Sequence, residues 1–240
     1  MKIKIINPNT SEKGTRDSEK AALTVAGPET IIEVVNVEEG PDSIECYTDE
    51  YIAIPGVMKE IIKGEKSDVD VFIIACFGDP GLQAARELTD KPVLGIAESA
   101  MKLGTIISPY FSVVSVLDRS RKMTEDLVEE YGMSKFCKSI RTTGLAVLDF
   151  SQDPERGLSA LREQAHLAIE NDGAECIVLG CAGFVSFTKD LQEELGVPVL
   201  DGVLPAVKFG EAIAGLNVKT SKSLTWGRPE EKGYCGYSFL

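Results

Sequence analysis

Two cysteines stand where chemistry is easiest to build. Cys76 ends the apolar run of VFIIACFGDPGL, and Cys181 ends that of CIVLGCAGF. Each is followed within two residues by a glycine, Gly78 and Gly183. A thiol at the carboxyl end of a buried strand, at a glycine turn leading toward a helix, meets free backbone N–H groups and the positive end of a helix dipole, both of which favour thiolate. Two such thiols on opposite sides of one carbon would form a two-base device. One thiolate removes the carbon-bound proton, and the thiol opposite returns a proton to the other face. An unperturbed cysteine titrates near ~8.5, so a modest local shift would leave one thiol ionised and the other neutral near pH 7. The carbanion needs its own stabilisation, and the backbone amides around Phe77-Gly78 and Ala182-Gly183 are the candidate donors, each worth roughly 3 kcal/mol at best.

The other reactive residues fit this chemistry less well. His166, the only histidine, lies within the helical pattern LREQAHLAIE and reads as a surface or interface residue. Cys46, Cys137 and Cys176 read as small buried hydrophobes. The six cysteines include no C-x-x-C pair, so neither a zinc site nor a disulfide framework is indicated, and no metal is expected. Asp79 and Glu98 read as capping residues or as residues behind the site. GDPG lacks a phosphate-loop pattern, and no G-x-G-x-x-G follows the first strand, so no nucleotide cofactor is expected.

The elements that must hold the cysteines alternate. Apolar strand patterns cover 2–6, 31–37, 70–75, 92–96, 111–117, 139–147, 176–180 and 197–200, with helical patterns between them. The helix after Pro41 is expected to break at Pro55-Gly56. Such alternation predicts an α/β protein with mainly parallel sheets flanked by helices. The chain also repeats. An offset of 105 residues brings Cys76 onto Cys181 and Gly78 onto Gly183. An offset of 106 brings Pro92 onto Pro198, Ala100 onto Ala206, Lys102 onto Lys208 and Gly104 onto Gly210. Two pseudo-symmetric lobes are therefore expected: residues 1–104, with the C-terminal segment packing back on them, and residues 105–214, followed by a tail over 215–240. Functional groups in parallel α/β units lie beyond the carboxyl ends of strands, so the repeat predicts both cysteines in the cleft between the lobes.

A net charge of −13 gives no basic stripe and argues against nucleic acid as a partner. No apolar run approaches the ~20 residues of a membrane span, and MKIKIINPNT lacks the h-region of a signal peptide, so a cytoplasmic protein with no membrane partner is expected.

INPNTS (6–11), PDSIECYTDE (41–50), ACFGDPGL (75–82), GIAESA (95–100), SVVSVLDRS (112–120) and GCAGF (180–184) together resemble the aspartate/glutamate racemase superfamily. Within it they are most similar to the hydantoin racemase branch, which includes allantoin racemases. The resemblance runs through nearly the whole chain. It implies a cofactor-independent racemase of 5-monosubstituted hydantoins, or alternatively of allantoin, with Cys76 and Cys181 as its bases. It further implies that Asn9, Ser115 and the amides after each cysteine hold substrate carbonyls. Ser43, Ile44 and Tyr47, in the segment Ser43 to Tyr47, would lie over the pocket against the 5-substituent. A homo-oligomer is implied too. Cys46 stands where this branch often has glycine, and Ser115 where it often has threonine. Neither cysteine is followed by the Asn-Thr of the amino-acid racemases, and a single-cysteine decarboxylase would not need both thiols. The non-enzyme alternative is a small-molecule binding protein that uses the same cleft.

Overall fold

The computed structural model describes residues 1–237 and 239. The first half runs β1 (Lys2–Asn7), α1 (Glu12–Val25), β2 (Ile31–Asn36), α2 (Tyr47–Glu65), β3 (Val71–Ile74), α3 (Leu82–Leu88), β4 (Val93–Gly95) and α4 (Ile96–Ile107). The second runs β5 (Phe111–Ser115), α5 (Arg121–Glu130), β6 (Cys137–Thr142), α6 (Asp149–Gln152), α7 (Pro154–Asp172), β7 (Cys176–Leu179), α8 (Thr188–Leu195), β8 (Val199–Leu200) and α9 (Val203–Gly215). The strands form two four-stranded parallel sheets of matching order, β2-β1-β3-β4 and β6-β5-β7-β8. Their centres are near-continuous apolar runs, such as Val71 to Ile74 and Cys176 to Leu179, because helices cover both faces.

The last helix of each half crosses to the other sheet. α4 sets Ala97, Ala100 and Met101 against Phe111, Val113, Cys176 and Val178 of the second sheet. α9 sets Val203, Ala206 and Val207 against Ile3, Ile5, Val71 and Ile73 of the first. The two helices start side by side at Ile96 and Gly202, equivalent positions of the repeat, and a Cβ on Gly202 would lie 2.5 Å from the Ile96 carbonyl oxygen. The lobes are therefore joined by apolar burial, the dominant favourable term in packing.

Two local expectations change. α2 runs unbroken through Pro55. Gly56 lets it lie close on the chain just after β2, since a Cβ there would sit 2.7 Å from Val37 Cγ1, and this packing overrides the proline signal. The extended segment predicted for 139–147 is a strand only as far as Thr142. Beyond it the chain turns at Gly144, φ 72°, and carries Val147 toward the cleft. After α9 the tail lies over α3 of the first half: Thr220 N–H donates to the Asp90 carbonyl at 2.8 Å, and Trp226 Nε1 donates to Gln83 Oε1 at 3.0 Å. Among the described residues no helix is long and apolar enough to cross a membrane.

Candidate active site

Both cysteines stand one residue past the end of a central strand ladder. The last ladder bonds are Ala75 N–H to the Ile6 carbonyl and Gly180 N–H to the Val114 carbonyl, each 2.8 Å and equivalent in the repeat. The residue after each cysteine then anchors in the opposite lobe. The Phe77 ring joins the core of the second sheet, and Ala182 packs on the core of the first. This reciprocal insertion holds the two thiols toward each other, and both line one cavity of about 180 Å³ between the lobes.

Asn9, Ile44, Phe77, Gly78, Ser115, Ala182 and Gly183 line the same cavity. Asn9 is oriented by its neighbours: its side-chain oxygen accepts from Asn7 Nδ2 at 3.0 Å and from Ser11 N–H at 2.9 Å. Its amide NH₂ is thus left to donate into the cavity. Ser115 is buried and bonds back to the Gly180 carbonyl at 3.3 Å, and Gly180 has no room for a Cβ, which would lie 2.8 Å from that of Ser115. Phe77, with its ring in the core, can present only backbone to a substrate.

Ser43 and Tyr47 fall outside the cavity wall. Ser43 Oγ donates to Glu45 Oε1 at 3.3 Å, and Tyr47, on the exposed side of α2, donates its hydroxyl to Asp126 of α5 at 2.8 Å. A surface hydrogen bond of this kind is worth about 0.5–1.5 kcal/mol. Tyr47→Phe is therefore expected to leave KM within about twofold, because the phenol makes no contact with the cavity; steady-state kinetics would check it.

Several wall residues escape the sequence reading. Glu45 lies inside the predicted roof segment, and its Oε1 accepts from Val147 N–H of the other lobe at 2.7 Å, tying the roof across the cleft. Met123, Val147, Leu148, Phe150, Phe184 and Phe187 make an apolar side wall, with Phe150 against Phe184 at 4.4 Å between ring centroids. Only Phe184 and Phe187 stand near the second cysteine in the sequence, and apolar residues there read equally as core.

The expected modest thiol shift does not survive burial. Desolvation pushes Cys181 up to about 11, against the opposing hydrogen bond from the Gly183 amide, and nearby Glu45 adds to the rise. Cys76 is also pushed up, by desolvation first, opposed by the Gly78 amide and reinforced by Cys181, Asp79 and Glu50. Only a small thiolate fraction is present at neutral pH, so kcat/KM for any thiolate reaction here should rise close to tenfold per pH unit over about pH 7–9. A rate flat across that range would contradict this electrostatic picture.

The carboxylates near the site serve helix ends. Asp79 accepts from the Ala97 and Glu98 amides at 3.0 and 2.9 Å, at the N-terminus of α4. Glu98 pairs with Arg86 at 2.6 Å and Lys102 at 2.5 Å. His166 lies away on α7, beside Glu194 at 3.6 Å. Among the described residues no group of three or more His, Cys, Asp or Glu side chains is arranged to hold a metal ion.

The chain as a whole is similar to known proteins. The Asp/Glu/hydantoin racemase family profile matches residues 3–210. A hydantoin racemase of Pseudomonas sp. (strain NS671) is 55% identical over 98% of this chain and 95% of its own length. One from Rhizobium meliloti is 43% identical over 99% and 98%. Among solved structures, an allantoin racemase from Klebsiella pneumoniae superposes with a TM-score of 0.96 at 41% identity, covering 98% of this chain and 96% of that one. These similarities span both lobes, and the protein belongs to the Asp/Glu/hydantoin racemase family and is a racemase.

Proposed function

We propose that this racemase inverts C5 of 5-monosubstituted hydantoins by two-base proton transfer between Cys76 and Cys181, without a cofactor. The observation that carries the reading is the shared cavity, with one thiol entering from each lobe and a glycine amide beside each. A thiolate takes the C5 proton and the opposite thiol donates its own to the other face, so the pair exchanges protonation states in each turnover. The enolate formed between the two steps needs donors at its oxygen. The free Asn9 amide and the backbone N–H groups of the two cysteine loops can supply them. Ser115 supports the Gly180 carbonyl in the second loop.

Ile44 and the aromatic and aliphatic side wall support a 5-substituent with apolar surface. Allantoin is the second reading, supported by the Klebsiella pneumoniae neighbour's printed activity and by Glu45, whose carboxylate could accept ureido N–H groups. A homo-oligomer accords with the exposed apolar side chains Ile31 and Ile106, which offer surface for a second copy. Loss of optical rotation on a panel of enantiopure 5-substituted hydantoins and allantoin is the test. Rotation decaying to zero on hydantoins is expected, and rotation stable on the whole panel would refute the proposal.

A further inference from the structure

The two cysteine loops match until the residue after the glycine, where the first has Asp79 and the second Phe184. Asp79 is buried and holds φ at 44°, a left-handed conformation that non-glycine residues seldom adopt. Three donors hold it there: the Ala97 and Glu98 amides and, from the other lobe, the Tyr131 hydroxyl at 2.7 Å. Gly95 leaves room for the carboxylate, since a Cβ there would fall 2.1 Å from Asp79 Cγ. In the second lobe the residue equivalent to Gly95 is Asp201, which caps its own helix through Leu204 N–H at 2.9 Å. The same helix-end problem is thus solved without a charge in the second cysteine's loop.

We propose that Asp79 is a positioning residue that makes the two thiols unequal: it locks the Gly78 amide against Cys76 and sets its negative charge beside that thiol, so Cys181 is the thiol that ionises first and Cys76 the one that stays neutral. The first proton to leave C5 is then the one facing Cys181. Cys76 delivers its proton to the opposite face, and the enzyme ends each such turnover with charge on Cys76. Exchange with solvent, moving one proton onto Cys76 and one off Cys181, restores the form charged at Cys181.

The groups around Asp79 agree in sign. Glu50 of α2, whose Oε2 lies 3.7 Å from where a Cβ on Gly78 would be, adds negative potential at Cys76, whereas Glu45 is the one carboxylate acting on Cys181. Glu98 of α4 is neutralised by Arg86 of α3 and by Lys102, and Tyr131 offers only a dipole. Burial lifts the Asp79 carboxyl to about 7, so it is charged across the alkaline range in which the thiols ionise.

The proposal rests on the two-thiol reading, but its test needs no turnover. Iodoacetamide alkylation of each cysteine is followed against pH by peptide mass spectrometry in the wild type, Asp79→Asn and Tyr131→Phe. In the wild type Cys181 should react at lower pH than Cys76. Asp79→Asn should lower the Cys76 midpoint by about one unit and leave Cys181 within about 0.3. Tyr131→Phe removes a dipole that offsets the charge and should move the Cys76 midpoint upward. A purely structural role would move both substitutions, or both cysteines, in the same direction. Coincident wild-type midpoints, or a Cys76 midpoint unmoved by Asp79→Asn, would overturn the proposal. If Asp79→Asn fails to fold, an unmoved or lowered Cys76 midpoint in Tyr131→Phe does so.

Discussion

Cys76→Ser and Cys181→Ser are each expected to lower the racemisation rate by at least about a thousandfold while leaving the fold intact, in keeping with the 10²–10⁴ that one positioned acid or base contributes. Serine keeps the size of the side chain and its bond to the adjacent glycine amide, but its hydroxyl cannot ionise in the range where a thiol does. Because the bases stand on opposite faces, removing one should separate the half-reactions. The remaining thiolate can still exchange the C5 proton of the enantiomer that faces it, without inversion. Polarimetry should then read zero change while solvent deuterium enters one enantiomer only. Equal thermal midpoints for wild type and variants would assign the loss to chemistry. Full racemisation by either variant would eliminate a two-base mechanism.

Gly202→Ala is expected to destabilise the protein by about 1–3 kcal/mol or more, the usual cost of overpacking. The new methyl group would fall 2.5 Å from the Ile96 carbonyl oxygen and 2.8 Å from its carbon. These are backbone atoms at the first turn of α4, so no side-chain rotation relieves the contact. The helices that meet there also carry the packing between the lobes, and parting them separates the cysteine loops. Thermal unfolding should therefore show a lower midpoint, with kcat falling together with it. An unchanged midpoint would mean that the lobes slide past one another more easily than this contact allows.

Much of the site was legible because it is built from local patterns. The two cysteines, their glycines and the strands before them repeat at a constant offset, and the sheets follow that repeat strand for strand. What depends on long-range packing was not legible. α4 and α9 carry apolar residues suited to either sheet, so nothing local says that each covers the other half's strands. Asp79 caps a helix that begins well downstream, and a cap borrowed from another loop leaves no motif at the helix start. Tyr47 sits in the roof segment, but helical geometry turns it toward Asp126, whereas Ile44 and Glu45 just before the helix face the cavity. The thiol shifts reverse the simple expectation because desolvation depends on how many atoms surround a sulfur. Adjacent residues do not reveal that.

That change alters the meaning of the paired cysteines. Neither is a ready thiolate at neutral pH. Each is a half-buried thiol with an amide at hand, and the pair can move a proton across a ring when one of them ionises. The account is tested most directly by racemising an enantiopure 5-substituted hydantoin in deuterium oxide with no added cofactor, following C5 by proton NMR alongside optical rotation. It predicts that every inverted product molecule carries deuterium at C5 while remaining substrate stays largely protiated, because the incoming proton derives from a thiol equilibrated with solvent. Inverted product that retains its original hydrogen would contradict transfer between two separate bases.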